Sequence, residues 1–242
     1  MICFLTSRHD IPGSFQMNPA NGFMDRLRRC LSEPCRALFV CSDPDDWATM
    51  DYYAELMEGS FVQAGFPLER FGVLDGRNAD RAAELVGEAE LLILAGGHVP
   101  TQNRFFARIG LRELLRDFDG VLVGISAGSM NCAETVYAQP ERDGEAADPN
   151  YRRFLPGLGL TKRMLLPHYQ DLKYEVLDGL RVMEDVAFPD SMGRCFYCLS
   201  DGSYLLLEDG KETLFGEAWS LKDGKLTQIS SNGTSVELLK DT

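Results

Sequence analysis

Residues 120–133, GVLVGISAGSMNCA, constrain the fold more than any other stretch of this 242-residue chain. Val121, Leu122, Val123 and Ile125 form a short apolar run, the pattern of a strand buried on both faces. Ser126 follows at once between Gly124 and Gly128, and the small residues after it can enter a helix. A strand, then G-x-S-x-G, then a helix is the setting of a nucleophile elbow. Glycines flank such a serine because the turn brings backbone too close for larger side chains. The hydroxyl is lifted off the strand end, beside the N–H groups of the helix N-terminus. Taken alone, the pentapeptide also suits a plain strand-to-helix turn with Ser126 as an N-cap.

The flanking sequence supplies a sheet for this strand. Apolar runs at 1–5, 36–42, 69–74 and 90–95 read as further strands. Between them, 22–31, 46–64, 80–88 and 101–115 have helical spacing, the last broken near Gly110. In 46–64 the apolar face comprises Trp47, Met50, Tyr53, Ala54, Met57 and Phe61. Strands alternating with helices predict a three-layer α/β fold, a mainly parallel sheet with helices on both faces. Ligands then bind beyond the carboxyl ends of the strands, where Gly96-Gly97 and Ser126 both fall.

Residues 134–150 are polar and turn-rich and are expected to form a surface loop over that end of the sheet. Residues 164–166 are another apolar strand, ending at Pro167-His168, and 172–185 return to helical spacing through Leu172, Val176, Leu180 and Met183. After Arg194 the chain is β-rich, with Asp201-Gly202, Asp209-Gly210 and Asp223-Gly224 as hairpin signals. This part reads as a meander at one edge of the sheet. No linker interrupts the chain, so 1–242 is expected to be one domain.

The net charge of −13 disfavours nucleic acid and anionic membranes as partners. No apolar run of about 18 residues suggests a membrane span, and the apolar run near the N-terminus is too short for a secretory core. Seven scattered cysteines, an odd number, suit reduced thiols and a cytoplasmic location. Cys195-x-x-Cys198 lies inside an apparent strand, which favours structural cysteines over a zinc or redox site. Cys132 lies beyond the elbow and so is not expected to act as a nucleophile.

A serine nucleophile needs a base, and His9, His98 and His168 are the three histidines. His168 follows an apolar strand directly, so its ring can reach the sheet end that carries Ser126. His98 sits beside Gly96-Gly97 and is expected to line the same pocket and touch substrate. Asp201, where a strand meets a turn, is the leading candidate for the acid that orients the base. Its plain reading is a turn residue, and Asp171 and Glu175 are other candidates. The order Ser, His, acid departs from the α/β-hydrolase order, in which His comes last.

Gly96-Gly97 after an apolar strand, G-I-S-A-G-S, L-P-H-Y and S-D-G-S-Y, in this order, resemble peptidase family S51. This family includes aspartyl dipeptidase (peptidase E) and cyanophycinase. The likeness spans roughly residues 36–225. It implies a class I glutamine amidotransferase-like fold and a serine peptidase needing neither cofactor nor metal. Its substrate would be a small peptide or amide, with N-terminal aspartyl dipeptides as one class. It implies Ser126 as nucleophile, His168 as base and Asp201 as acid, with Gly97 and Ala127 N–H as oxyanion donors. Two features depart from the family pattern. Where the dipeptidases have Asn-Thr after the glycines, this chain has His98-Val99-Pro100-Thr101. An aspartyl side chain would also need a cation, and Arg142, Arg152, Arg153 and Arg163 all lie outside the matched motifs. The rival readings are another amidase or esterase on this fold, and a binding protein that has kept the fold without the chemistry.

Overall fold

The computed structural model describes residues 1–239. Its main sheet has eight strands in the order Ser235–Leu238, Lys211–Phe215, Tyr204–Glu208, Ile2–Thr6, Val121–Ile125, Leu91–Leu94, Cys35–Val40 and Leu68–Leu74. The five from Ile2–Thr6 to Leu68–Leu74 are parallel, and the first three pair antiparallel. Successive side chains of a strand point to opposite faces. Leu91, Leu92, Ile93 and Leu94 are all fully buried, so both faces of the sheet are covered. This explains why the central strands read as unbroken apolar runs.

The chain steps outward from Cys35–Val40 to Leu68–Leu74, then returns to Leu91–Leu94 on the other flank of Cys35–Val40. The direction of winding reverses between these neighbours, and the loops leaving their carboxyl ends diverge around a crevice. Ser42, Gly96, Gly97 and Ser126 line the resulting cavity of about 500 Å³.

The C-terminal strands are antiparallel as expected, and they are shared between two sheets. Cys195–Leu199, Ala218–Lys222 and Lys225–Ser230 join Met164–Leu166 in a four-stranded sheet, whereas Tyr204–Glu208, Lys211–Phe215 and Ser235–Leu238 extend the main one. Asp209-Gly210 and Asp223-Gly224 close two-residue hairpins, with Glu208 opposite Lys211 and Lys222 opposite Lys225. Asp201-Gly202 does not close a hairpin. It carries the chain from one sheet to the other, which leaves the Asp201 side chain available at the junction.

The expected helix at 172–185 does not form. A single turn, Tyr169–Leu172, is followed by a small hairpin in which Leu177 pairs with Leu180. Asp178 (φ 54°) and Gly179 (φ 80°) form its turn. An Asp-Gly pair readily takes two positive φ angles, and here that preference overrides the helical spacing of the apolar residues. A π-helical turn, Val182–Ala187, follows. The segment expected as loop contains one strand, Thr135–Tyr137, paired with Phe154–Pro156. On the helix Trp47–Gln63 the buried stripe is Met50, Ala54, Met57, Ser60 and Phe61. Trp47 and Tyr53, assigned to that stripe from spacing, are exposed. Trp47 donates through Nε1 to the Pro44 carbonyl, and Tyr53 lines the cavity. No helix among the described residues is long and apolar enough to cross a membrane.

Candidate active site

Ser126 leaves the strand Val121–Ile125 with φ 49° and ψ −110°, a backbone conformation costing about 1–3 kcal/mol for a residue with a side chain. Hydrogen bonds fix it on both sides. Its N–H donates to the Thr6 carbonyl at 3.0 Å, and its carbonyl accepts from Met130 N–H at 3.0 Å. The flanking glycines answer to close packing. A Cβ on Gly128 would lie 2.3 Å from the Leu94 carbonyl oxygen, and one on Gly124 would lie 2.9 Å from the Ser129 backbone. The Ser126 side chain makes no capping bond to the short helix Ala127–Met130. Its Oγ lies instead 3.0 Å from Nε2 of His168.

His168 stands just beyond the strand Met164–Leu166, in a left-handed conformation with φ 56° and ψ 34°. Its Nδ1 lies 2.7 Å from Oδ1 of Asp201. Burial pushes the Asp201 carboxyl up. Hydrogen bonds from His168 and Ser7 and the charges of His168 and Arg8 outweigh this and leave it below its ordinary value. An ionised carboxylate only accepts, so Nδ1 of His168 carries the proton and Nε2 faces the serine as an acceptor. The Asp201 N–H donates to Oε1 of Gln170 at 3.0 Å, and Asp201 Oδ1 accepts from Ser7 Oγ at 2.9 Å. The sequence pattern marked neither Ser7 nor Gln170. Asp171 instead accepts from the Gln170 amide, and Glu175 is held above its ordinary value by burial and by Asp171.

The other two histidines occupy different positions. His98 lines the cavity, but both of its ring nitrogens are engaged, Nδ1 with Thr101 Oγ1 at 2.8 Å and Nε2 with Glu145 Oε1 at 2.9 Å. Burial lowers its pKa, and the Glu145 charge only partly offsets this. The second oxygen of Glu145 accepts the N–H groups of Glu141 and Arg142. Asp178 accepts those of Gly144, Ala146 and Ala147. Glu145 thus ties the 141–147 segment together from within, Asp178 and His98 hold it from outside, and Arg142 from this segment lines the cavity. His9 also lines the cavity and is buried, which lowers its pKa to about 4 against the opposing pull of Asp10.

Of the four arginines open from the sequence, Arg153 pairs with Asp190 at 3.0 Å and Arg163 with Glu212 at 2.7 Å. Arg142 is the one of the four that lines the cavity. Arg8, not singled out in the sequence, also lines it and pairs with Asp10 at 2.9 Å. Gly97 lines the cavity beyond Leu91–Leu94, and Ala127 opens the helix after Ser126. Neither backbone N–H donates a hydrogen bond within the described residues. Cys198 and Cys132 are fully buried, with thiols pushed up by desolvation, so they are poor nucleophiles.

The fold is similar to that of a peptidase from an acI-B1 Actinobacterium, with 17% identity over 98% of this chain and 96% of that one and a TM-score of 0.65. It is also similar to a putative peptidase E protein from Listeria monocytogenes EGD-e, with 14% identity over 95% and 98% of the two chains and a TM-score of 0.59. None of the curated proteins compared with the chain in sequence matches it. The model of peptidase family S51 matches residues 14–214, most of the sequence, and the chain therefore belongs to peptidase family S51 and is a serine hydrolase.

Proposed function

We propose that this protein hydrolyses a peptide or peptide-like amide bond with Ser126 as nucleophile, His168 as base and Asp201 as orienting acid. The observation that carries the reading is the unbroken hydrogen-bonded chain Ser126 Oγ, His168 Nε2, His168 Nδ1 and Asp201 Oδ1, at 3.0 and 2.7 Å. Ser126 Oγ attacks the carbonyl carbon while His168 Nε2 takes its proton. The imidazolium so formed is stabilised by Asp201. The oxyanion is met by the N–H groups of Gly97 and Ala127, neither of which has a partner within the described residues. His168 returns the proton to the leaving amine, and the acyl-enzyme is then hydrolysed by water activated at the same nitrogen.

An N-terminal aspartyl dipeptide is the substrate class this reading favours. Arg142 supports it, being a cavity-lining residue whose backbone N–H bonds Glu145 and whose guanidinium forms no ion pair among the described residues. His98 lines the cavity beside it and contributes to substrate binding through the Glu145 contact. We read 1–242 as one cytoplasmic peptidase domain, supported by the odd number of cysteines and by the continuous sheet that the first strand shares with the C-terminal ones.

Labelling with a fluorophosphonate probe, followed by a panel of aspartyl and non-aspartyl dipeptides, tests the proposal. Failure to label under conditions that label a control serine hydrolase overturns the nucleophile. Labelling without aspartyl preference points to the rival amidase or esterase on this fold.

A further inference from the structure

Ser7 sits where the three parts of the candidate site meet. It follows the strand Ile2–Thr6 and is fully buried. Its Oγ accepts the His168 backbone N–H at 2.8 Å and lies 2.9 Å from Asp201 Oδ1. The Leu199 carbonyl lies at 3.2 Å. A hydroxyl has one proton to donate, and the nearer, charged acceptor takes it. The preceding residue, Thr6, accepts the Ser126 N–H at 3.0 Å and the Ser129 hydroxyl at 2.8 Å through its carbonyl. The Thr6-Ser7 dipeptide thus bonds to the serine backbone, the histidine backbone and the carboxylate. These groups arrive from three different strands in two sheets.

We propose that Ser7 is a positioning residue for the hydrolysis, holding Asp201 in line with Nδ1 of His168 and anchoring the His168 backbone. The proposal rests on the triad reading above. Asp201 Oδ1 receives two donors, the imidazole N–H and the Ser7 hydroxyl, and together they fix the rotation of the carboxylate. The His168 N–H bond does the same for a residue at φ 56°, a conformation that a non-glycine residue keeps only when its surroundings hold it there. Without Ser7 the acid turns away from the ring and the ring away from the serine.

The test is the second-order rate constant for fluorophosphonate labelling at neutral pH in wild type, Ser7→Ala, Asp201→Asn and the double variant. Ser7→Ala is expected to slow labelling by about 10- to 100-fold, the scale of one hydrogen bond to a charged group. In the Asp201→Asn background the same change should cost markedly less, only the part owed to the His168 backbone anchor, because residues acting through one another are not additive. If Ser7→Ala does not fold, Ser7→Cys stays close in size while weakening both bonds and should show the same dependence on Asp201. Labelling of Ser7→Ala within about 3-fold of wild type overturns the proposal, as does an equal loss in both backgrounds. Wild type that does not label overturns the triad itself, a separate result.

Discussion

Asp201→Asn tests the chemistry most sharply, because it removes a charge and little else. The carboxylate lies 2.7 Å from Nδ1 of His168, with charge centres about 4 Å apart. At an effective dielectric of about 20, such a pair is worth about 4 kcal/mol once the ring is protonated. The Asp201 side chain is 12% exposed but that of His168 is 36%, so solvent screening lowers this to about 3 kcal/mol. On the proposed mechanism the charge stabilises the imidazolium that forms during attack and the neutral ring very little, so nearly all of it appears in the barrier. The expected loss in kcat is about 10²- to 10³-fold at neutral pH, with KM little changed. Expression and Tm should stay near wild type, since Asn can still accept from Ser7 and the bond to Gln170 uses the backbone. The assay is steady-state hydrolysis of an aspartyl dipeptide alongside fluorophosphonate labelling. A kcat within a few-fold of wild type would refute the reasoning, and Asp201 would then serve only to shape the junction between the sheets.

Ser126→Ala should abolish labelling and hydrolysis with a Tm within a few degrees of wild type, and His168→Ala should be nearly as damaging because the pair acts as a unit; turnover by purified Ser126→Ala would exclude it as nucleophile. His98→Ala should raise KM more than it lowers kcat, because it removes the contact to Glu145 in the 141–147 segment and leaves the proposed base in place; a larger loss than His168→Ala would reverse the assignment of the base. Glu141 is pushed up to about 8 mainly by burial, against the Val99 N–H bond that favours its charge. Its folded-state pKa lies above the unfolded one, so stability falls as pH rises from about 4.5 to 8; Glu141→Gln should therefore match wild type in Tm at pH 4 and exceed it at pH 8, and equal Tm values at both would refute this. His9 is lowered to about 4, so its neutral form stabilises the fold above about pH 6.5 and that contribution is lost as pH falls to 4; urea midpoints at pH 7 and 4.5 should differ less in His9→Gln than in wild type.

The features that could be read from the sequence are those set by neighbours in the chain. Val121–Ile125, Ser126 and its glycines are legible because strand, turn and helix follow within ten residues, and each residue type answers a local steric need. The parallel strands are legible because burial on both faces leaves no polar alternation. The segment at 172–185 misleads because its apolar spacing suits a helix while Asp178-Gly179 favours a turn, and the turn prevails. Its Asp-Gly pair is the same signal that marks the hairpins at 209–210 and 223–224.

The position of Asp201 illustrates where local reading ends. As part of an Asp-Gly pair it looks like a hairpin residue, and its two companions in that pattern do form hairpins. What separates it is the strand that follows. Tyr204–Glu208 pairs with Ile2–Thr6 in the main sheet, whereas the strand before it, Cys195–Leu199, pairs with Met164–Leu166 in the other. The register Thr6 opposite Tyr204 and Cys198 opposite Leu166 brings Ser7, Asp201 and His168 to one junction, although Ser7 and Asp201 are 194 residues apart in the chain. Contacts of this kind are set by which strands pair across the sheets, and no spacing within a single segment encodes them. Shifting the first strand by one residue would turn its side chains to the opposite face and remove Ser7 from both His168 and Asp201. The register of Ile2–Thr6 against Tyr204–Glu208 is therefore as much a part of the candidate site as the serine, although no motif in the chain records it.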